Sequence, residues 1–286
     1  MSQSKFAILV DSCSDVPQNI IEKENIYVVP IHLHYKNTDY LDKIDISPTE
    51  VYEKMPEDIP TTSQPSVGEI VKVLNQIADD GYETVFAIAI SSGLSGTYNS
   101  MRIAANEEKR LKVIPIDTLN IGIGAGASAI YAAQLIREKL SESEILEKLR
   151  HSIAEAKVYF SVATLEYLKK GGRIGKVAAA FGSLLRINPV ITCDEEGKYI
   201  VASKARGRSR SLKEVVDLAF KYAKKYVNFY VMVSHGNAKE EAQKILDELK
   251  LLLPNATNFF MTDLSPALGV HTGPGMVGAG IYPIDL

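Results

Sequence analysis

In the first half of the chain, short apolar runs alternate with amphipathic stretches. Four runs have the length and β-branched content of strands; they cover residues 6–10, 26–33, 84–90 and 112–117. Between and after them lie three helix starts of the Ser-x-x-Glu type, at Ser47, Ser66 and Ser141, and a small-residue-rich helical stretch at 124–139. This alternation predicts a parallel sheet covered by helices, an α/β/α domain over residues 1–155.

The second half has a different pattern. Strand-like runs at 158–163, 189–193, 198–203, 228–233, 259–262 and 277–281 are joined partly by hairpin-like turns and partly by helical stretches at 212–226 and 238–253. Such a mixture predicts a mixed sheet, so we expect a second α/β domain over residues 156–286. The whole chain is therefore predicted to be an α/β protein with two domains.

The stretch 91–98, Ser-Ser-Gly-Leu-Ser-Gly-Thr-Tyr, joins the strand at 84–90 to a helix predicted at 99–108. The free N–H groups of a helix start attract anions, and Ser92 and Ser95 add uncharged donors. An ordinary helix-capping turn explains the same residues equally well. In parallel sheets, ligands gather at the carboxyl ends of strands, where Asp11-Ser12 and Thr61-Thr62-Ser63 are also expected.

Composition narrows the classes of function. The 286 residues carry a net charge of −3, which gives no reason to expect nucleic acid. No apolar run reaches the length of about 20 residues that spans a bilayer, and the N-terminus lacks a signal-peptide pattern. Cys13 and Cys193 lie far apart, so we expect no disulfide and a cytoplasmic location. His32-x-His34 lacks a third ligand, so no metal site is predicted.

Two motifs resemble enzyme signatures incompletely. Gly93-Leu-Ser-Gly-Thr97 falls one glycine short of the serine-hydrolase elbow, and His271, expected in the Gly/Pro-rich loop 268–275, could serve as its base. No acid completes that triad, so a hydrolase using Ser95 and His271 is an alternative only. The stretch 122–127, Gly-Ile-Gly-Ala-Gly-Ala, starts too far from its strand for dinucleotide binding and favours close helix–sheet packing.

The sequence does not decide the role of two basic segments. The stretch 167–175 is typical of a helix end with a glycine cap, from which Arg173 extends either into solvent or towards a partner or anion. The run 203–210 contains Arg206 and three further cations. Such a run is usually solvated surface, but arginine is also suited to neutralising a carboxylate or phosphate.

Several motifs taken together resemble the DegV family of bacterial fatty-acid-binding proteins. They are Asp11-Ser-Cys-Ser-Asp15, Thr61-Thr-Ser-Gln-Pro-Ser66, Ser91-Ser-Gly-Leu-Ser-Gly-Thr97, Leu168-Lys-Lys-Gly-Gly-Arg-Ile174 and His271-Thr-Gly-Pro-Gly275. The resemblance extends over nearly the whole chain in the right order. It implies two α/β domains with a long-chain fatty acid, of the C16–C18 type, buried between or within them, and no cofactor.

The resemblance also implies a role. Members of the family's best-understood branch are not catalysts but carry the acyl chain for a bacterial fatty acid kinase in phospholipid synthesis. A separate ATP-binding subunit, similar to dihydroxyacetone kinase, phosphorylates the bound carboxylate. By resemblance, the residues that hold the carboxylate are Thr62, Ser63, Ser92, Ser95, His271 and Arg206, and Arg173 meets the kinase.

The resemblance is weaker at Arg206, because this chain has Ala205-Arg206-Gly207 where the family more often has Val-Arg-Thr. A binding module for another small acid, without a kinase partner, is a further alternative. We expect a monomer with at most transient membrane contact. Chain length and saturation preference are not predicted, since they depend on apolar residues that the sequence does not place.

Overall fold

The computed structural model describes residues 5–178 and 187–285. Its strands are β1 Phe6–Asp11, β2 Tyr27–Val29, β3 His32–His34, β4 Asp39–Leu41, β5 Thr61–Ser63, β6 Thr84–Ala89, β7 Lys112–Asp117, β8 Lys157–Ser161, β9 Ile187–Cys193, β10 Tyr199–Arg206, β11 Phe229–Gly236, β12 Asn258–Asp263 and β13 Met276–Pro283. Its α-helices are α1 Gln18–Glu24, α2 Pro48–Lys54, α3 Val67–Asp79, α4 Thr97–Glu107, α5 Ile123–Arg137, α6 Glu142–Glu155, α7 Glu166–Lys170, α8 Arg208–Ala223, α9 Lys239–Leu252 and α10 Pro266–Thr272.

The first sheet is parallel, with the strand order β2-β1-β6-β7. Its two central strands, β1 and β6, are almost entirely buried. That burial explains their near-continuous apolar sequences, because helices cover both faces of a parallel sheet. The predicted parallel α/β arrangement of the N-terminal part is confirmed.

The second sheet is mixed and has the order β10-β9-β8-β13-β11-β12. Its only parallel pair in the described part of the chain is β11 with β12, which α9 connects; the other neighbours are antiparallel. A tight turn joins β9 to β10, where the Asp194 N–H donates to the Lys198 carbonyl oxygen at 2.9 Å. The predicted mixed sheet of the C-terminal part is confirmed.

A third, small sheet was missed by the pattern of apolar residues. The single strand predicted over 26–33 is two strands in different sheets, separated at Pro30, which has no N–H to donate to a ladder. After this break β3 pairs with β4 and with β5, both antiparallel. Thr61–Ser63, which the pattern of apolar residues did not indicate as a strand, is therefore strand β5.

Helix α5 lies between the parallel sheet and the mixed sheet. Most of its residues are buried, as expected for a helix without a polar face. One hydrophobic cluster joins α5 to Phe86 of the first sheet and to Tyr282 of the second. Gly126 makes this packing close, because a Cβ there would lie 2.2 Å from the Ser14 carbonyl oxygen. The core is thus continuous across residue 155, and the division into two domains at that point stays a prediction.

No helix in the described ranges is both long enough and apolar enough to cross a membrane.

Candidate functional site

A cavity of about 270 Å³ lies among β5, the β6–α4 loop and helix α10. The polar residues that line it include Thr62, Ser63, Gln64, Ser95, Arg173, Tyr199, His271 and Thr272. Next to it is a much smaller, largely apolar cavity of about 30 Å³ between α10 and the mixed sheet. Both cavities are lined by Ile121, Tyr199, Leu268 and Thr272. A polar mouth and an apolar arm therefore adjoin each other.

Thr62 and His271 meet at the polar mouth, although 209 positions separate them in sequence. Thr62 Oγ1 lies 2.8 Å from Nε2 of His271, at hydrogen-bond distance. His271 is in the last turn of α10, not in a loop as its glycine-rich sequence predicted. The helix starts upstream, where the Ser265 hydroxyl accepts from the Leu268 N–H and proline occupies the first turn.

Burial keeps the His271 imidazole neutral. It lowers the pKa of His271 to about 4, and the nearby positive charge of Arg173 acts in the same direction. Nδ1 of this ring has no hydrogen-bond partner in the described structure, and Gly171 leaves room for it, since a Cβ at that glycine would lie 2.1 Å away. The mouth therefore offers an imidazole and hydroxyl groups, with Arg173 as the cation in its wall.

We expect the His271 ring to stay neutral down to about pH 5. In the folded protein the pKa of His271 is about 4, below the ordinary pKa of 6.5 that the ring has in the unfolded chain. The neutral ring therefore contributes stability fully above pH 6.5, and that contribution is lost as the pH falls from 6.5 towards 4. The ¹⁵N chemical shifts of the ring, measured from pH 8 to pH 4, check this. A titration midpoint near 6.5 would contradict the burial described above.

Some residues of the stretch 91–98 support the structure, and others line the cavity. The buried Ser91 hydroxyl donates to the Gly197 carbonyl oxygen at 2.8 Å, which ties this loop to the β9–β10 turn. Ser95 lines the cavity, and its Oγ lies 2.8 Å from Thr97 Oγ1. Ser92 is exposed and not in the cavity wall; its N–H donates to Asp117. Helix α4 starts at Thr97, two residues earlier than predicted, without a side-chain cap.

The two arginines singled out from the sequence lie in different places. Arg173 is half-buried in the cavity wall, where Nη1 donates to the Gly171 carbonyl oxygen at 2.7 Å. Arg206 is exposed at the end of β10, and the structure does not bring it to the cavity. Sequence alone could not separate the two, because both are arginines in short basic segments.

The structure does not assemble a triad from Ser95 and His271. Ser95 Oγ bonds to Thr97, and the imidazole bonds to Thr62, so the two residues have different partners. His271 Nδ1 has no carboxylate partner among the described residues. The geometry that the hydrolase alternative required at these two residues is absent from residues 5–178 and 187–285.

Three buried carboxylates hold the backbone around the cavity. Asp11 accepts from the N–H of Ile90, Asp15 from that of Ser265, and Asp42 from that of Ala267, each at 2.9 Å. Ile90 and Ala267 line the cavity, and Ser265 caps helix α10, which carries His271. These acids therefore position the wall without contacting its interior.

Burial raises the pKa of Asp11 to about 7 and that of Asp15 to about 6; for Asp15, the nearby Lys43 ammonium opposes this rise. Lys43 Nζ lies 2.8 Å from Asp15 Oδ1. Asp11 and Asp15 belong to a motif that the sequence indicated, whereas nothing near Asp42 signalled its role. Its partners Ser12 and Ala267 are 30 and 225 positions away.

A cavity with a polar mouth and an apolar arm, buried between the sheets of an α/β fold, is typical of proteins that bind a small amphiphilic molecule. The chain belongs to the DegV family: the sequence profile of this family, described as an uncharacterised protein family, matches residues 5–284. The resemblance inferred from the motifs is thus confirmed.

Relatives and solved structures agree over nearly the full length. A DegV domain-containing protein of Clostridium acetobutylicum is 38% identical over 279 residues, which cover 97% of this chain and 99% of the relative. A fatty-acid-binding DegV family protein from Thermus thermophilus has a TM-score of 0.91 at 31% identity, covering 98% of this chain and 99% of the other. A stearic-acid-binding protein from Eubacterium ventriosum has a TM-score of 0.88 at 29% identity, covering 97% and 98%.

Proposed function

We propose that this protein binds a long-chain fatty acid, with the carboxylate in the polar mouth and the tail in the apolar arm. The observation that carries the proposal is the pair of adjoining cavities that share Ile121, Tyr199, Leu268 and Thr272. Fatty acid binding by structural relatives at 29–31% identity supports the choice of ligand.

Tail burial is the largest favourable contribution to binding. A 16-carbon acid has about 15 methylene and methyl groups, each worth ~0.8 kcal/mol when buried, or roughly 12 kcal/mol before the costs of association. Since the tail supplies this much, the head group needs only positioned donors. Thr62 and Ser95 provide hydroxyl groups at the mouth, and Ser63 lies at its rim.

We further propose that the bound carboxylate is presented to a separate ATP-binding kinase subunit, which phosphorylates it to an acyl phosphate. In this proposal the hydroxyls of Thr62 and Ser95 hold the head group, while the Arg173 guanidinium donates to the Gly171 carbonyl oxygen. A carboxylate held by uncharged donors keeps more nucleophilic character, which favours phosphoryl transfer to its oxygen. In this role the protein is a cytoplasmic, monomeric carrier, and the transfer itself is catalysed by the partner.

Extraction of the purified protein tests the binding function. After expression in a bacterium, an organic extract is analysed by mass spectrometry, and we expect a near-stoichiometric C16–C18 fatty acid. Extract from a protein of similar size, purified in parallel, serves as the background control. An extract without acyl chains above that background would contradict the proposal.

Arg173→Ala is expected to separate lipid binding from presentation. Arg173 lies at the mouth, so its loss should lower the rate of phosphoryl transfer by the kinase subunit at least about tenfold through a weaker encounter with the partner. The extracted fatty acid should be retained, because the tail contacts are unchanged. Arg206→Ala is the matched control, because that arginine is exposed outside the cavity wall. Loss of the lipid together with the transfer would instead place Arg173 in carboxylate binding.

A further inference from the structure

A hydrogen-bonded serine, histidine and aspartate lie together on the small antiparallel sheet. Ser63 Oγ is 2.7 Å from Nε2 of His34, and Nδ1 of the same ring is 2.9 Å from Asp39 Oδ1. The contacts join β5, β3 and β4, so the constellation is built across three strands. This is the arrangement of a nucleophile, a base and an orienting acid, which is recognised by geometry rather than by order in the sequence.

Strand register places the three side chains on one face. His32 lies opposite Ser63, and His34 lies opposite both Thr61 and Asp39. Side chains alternate between the two faces of a strand, so the buried Leu33 and its neighbour Thr62 lie on the other face. Thr62 bonds to His271 inside the cavity, while the Ser63–His34–Asp39 set faces outwards. Ser63 also lines the cavity wall, so it lies at the rim, where the head group of a ligand would pass.

Groups that could stabilise a developing oxyanion line the same cavity. The Arg173 guanidinium is in its wall, and so is Gly96, which immediately precedes helix α4. At the start of α4 Gly96 provides no side-chain cap, and the Thr97 N–H donates to Ser95 Oγ at 3.3 Å. The cavity wall therefore contains a guanidinium and a helix start, and Ser63 lies at its rim.

We propose that Ser63, His34 and Asp39 form a hydrolytic centre that cleaves activated long-chain acyl esters or thioesters and releases the fatty acid at the cavity. Ser63 Oγ attacks the acyl carbonyl while its proton passes to Nε2 of His34. The tetrahedral intermediate expels the alcohol or thiol, which takes that proton, and leaves an acyl ester on Ser63. Water, deprotonated by His34, then attacks this ester, and the proton passes from His34 to the departing Ser63 Oγ. The net products are a fatty acid and the free leaving group.

The test uses the full-length protein with a serine-reactive label and with ester and thioester substrates. A fluorophosphonate, followed by peptide mass spectrometry, identifies any activated serine, and p-nitrophenyl decanoate and palmitoyl thioester report turnover. We expect the label on Ser63, and turnover reduced at least about tenfold in Ser63→Ala and in His34→Gln. Thr61→Ala and His32→Gln are matched controls on the same sheet face; His32 pairs with Glu69 instead, and both should remain within about twofold of wild type.

The outcomes separate this activity from fatty acid carriage. Turnover of the short substrate p-nitrophenyl acetate does not need the apolar arm, so it should depend on Ser63 even if extraction shows no bound fatty acid. Label on Ser95 or on no serine, or equal turnover in wild type, Ser63→Ala and His34→Gln, would overturn the proposal. Ser63-dependent cleavage of the decanoate but not of the thioester would support the esterase activity and overturn the thioesterase activity.

Discussion

Gly126→Ala is expected to destabilise the protein by roughly 3 kcal/mol, because a methyl group there collides with backbone rather than with a movable side chain. The added Cβ would lie 2.2 Å from the Ser14 carbonyl oxygen, so α5 or the segment after β1 must shift. Since α5 packs against both large sheets, that shift is transmitted to the hydrophobic cluster that joins them. Urea unfolding followed by circular dichroism measures the loss.

Gly68→Ala is the matched control for this substitution. Gly68 is also helical, in α3, but a Cβ there meets nothing within 4 Å. Alanine in a helix is favoured over glycine by about 0.5–1 kcal/mol, so this variant should be slightly more stable than wild type. Equal unfolding midpoints for the two variants would show that α5 can move away from β1 at little cost.

Leu268→Trp is expected to weaken palmitate binding at least about 100-fold while leaving octanoate binding within about threefold. Leu268 lines both cavities, so a larger ring there blocks the passage between the mouth and the apolar arm. Each methylene group that is kept out of the arm lowers the binding free energy by ~0.8 kcal/mol, and several methylenes of a 16-carbon tail are kept out. A short tail ends before the passage and loses little.

Titration calorimetry with the two acids, after removal of bound lipid, measures this difference. The chain has no tryptophan, so the introduced indole is also a unique fluorophore whose emission reports a tail beside it. The melting temperature of the variant checks that α10 remains folded. Equal losses for both acids would indicate that Leu268 acts on the head group and not on the tail.

The sequence predicted the fold wherever the signal was local. Strands β1 and β6 are apolar runs long enough to be buried on both faces, and the capping boxes at Ser47, Ser66 and Ser141 start helices as expected. Strand pairing after Pro30 was missed, since a three-residue strand has too few positions to show alternation. Helix α10 was missed because its glycines suggested a loop, whereas Ser265 and the following proline start a helix.

The site was predictable in its residue types but not in its contacts. Thr62, Ser95 and His271 were indicated by motifs, and the structure places all three in one cavity wall. The bond between Ser63 and His34 spans 29 positions and depends on the register of β3 against β5, which no local pattern specifies. The role of Asp42 was missed for the same reason, since its hydrogen-bond partners belong to elements far away in sequence.

The anchoring of the wall by Asp11, Asp15 and Asp42 has a consequence for how this family can diversify. These carboxylates accept hydrogen bonds from main-chain N–H groups, which every residue except proline supplies. The bonds that hold the frame of the cavity wall therefore do not depend on which side chains those residues carry. Substitutions at Ile90 or Ala267 can therefore reshape the interior while the frame stays in place. The same two residues thus serve the frame through their N–H groups and the cavity lining through their side chains.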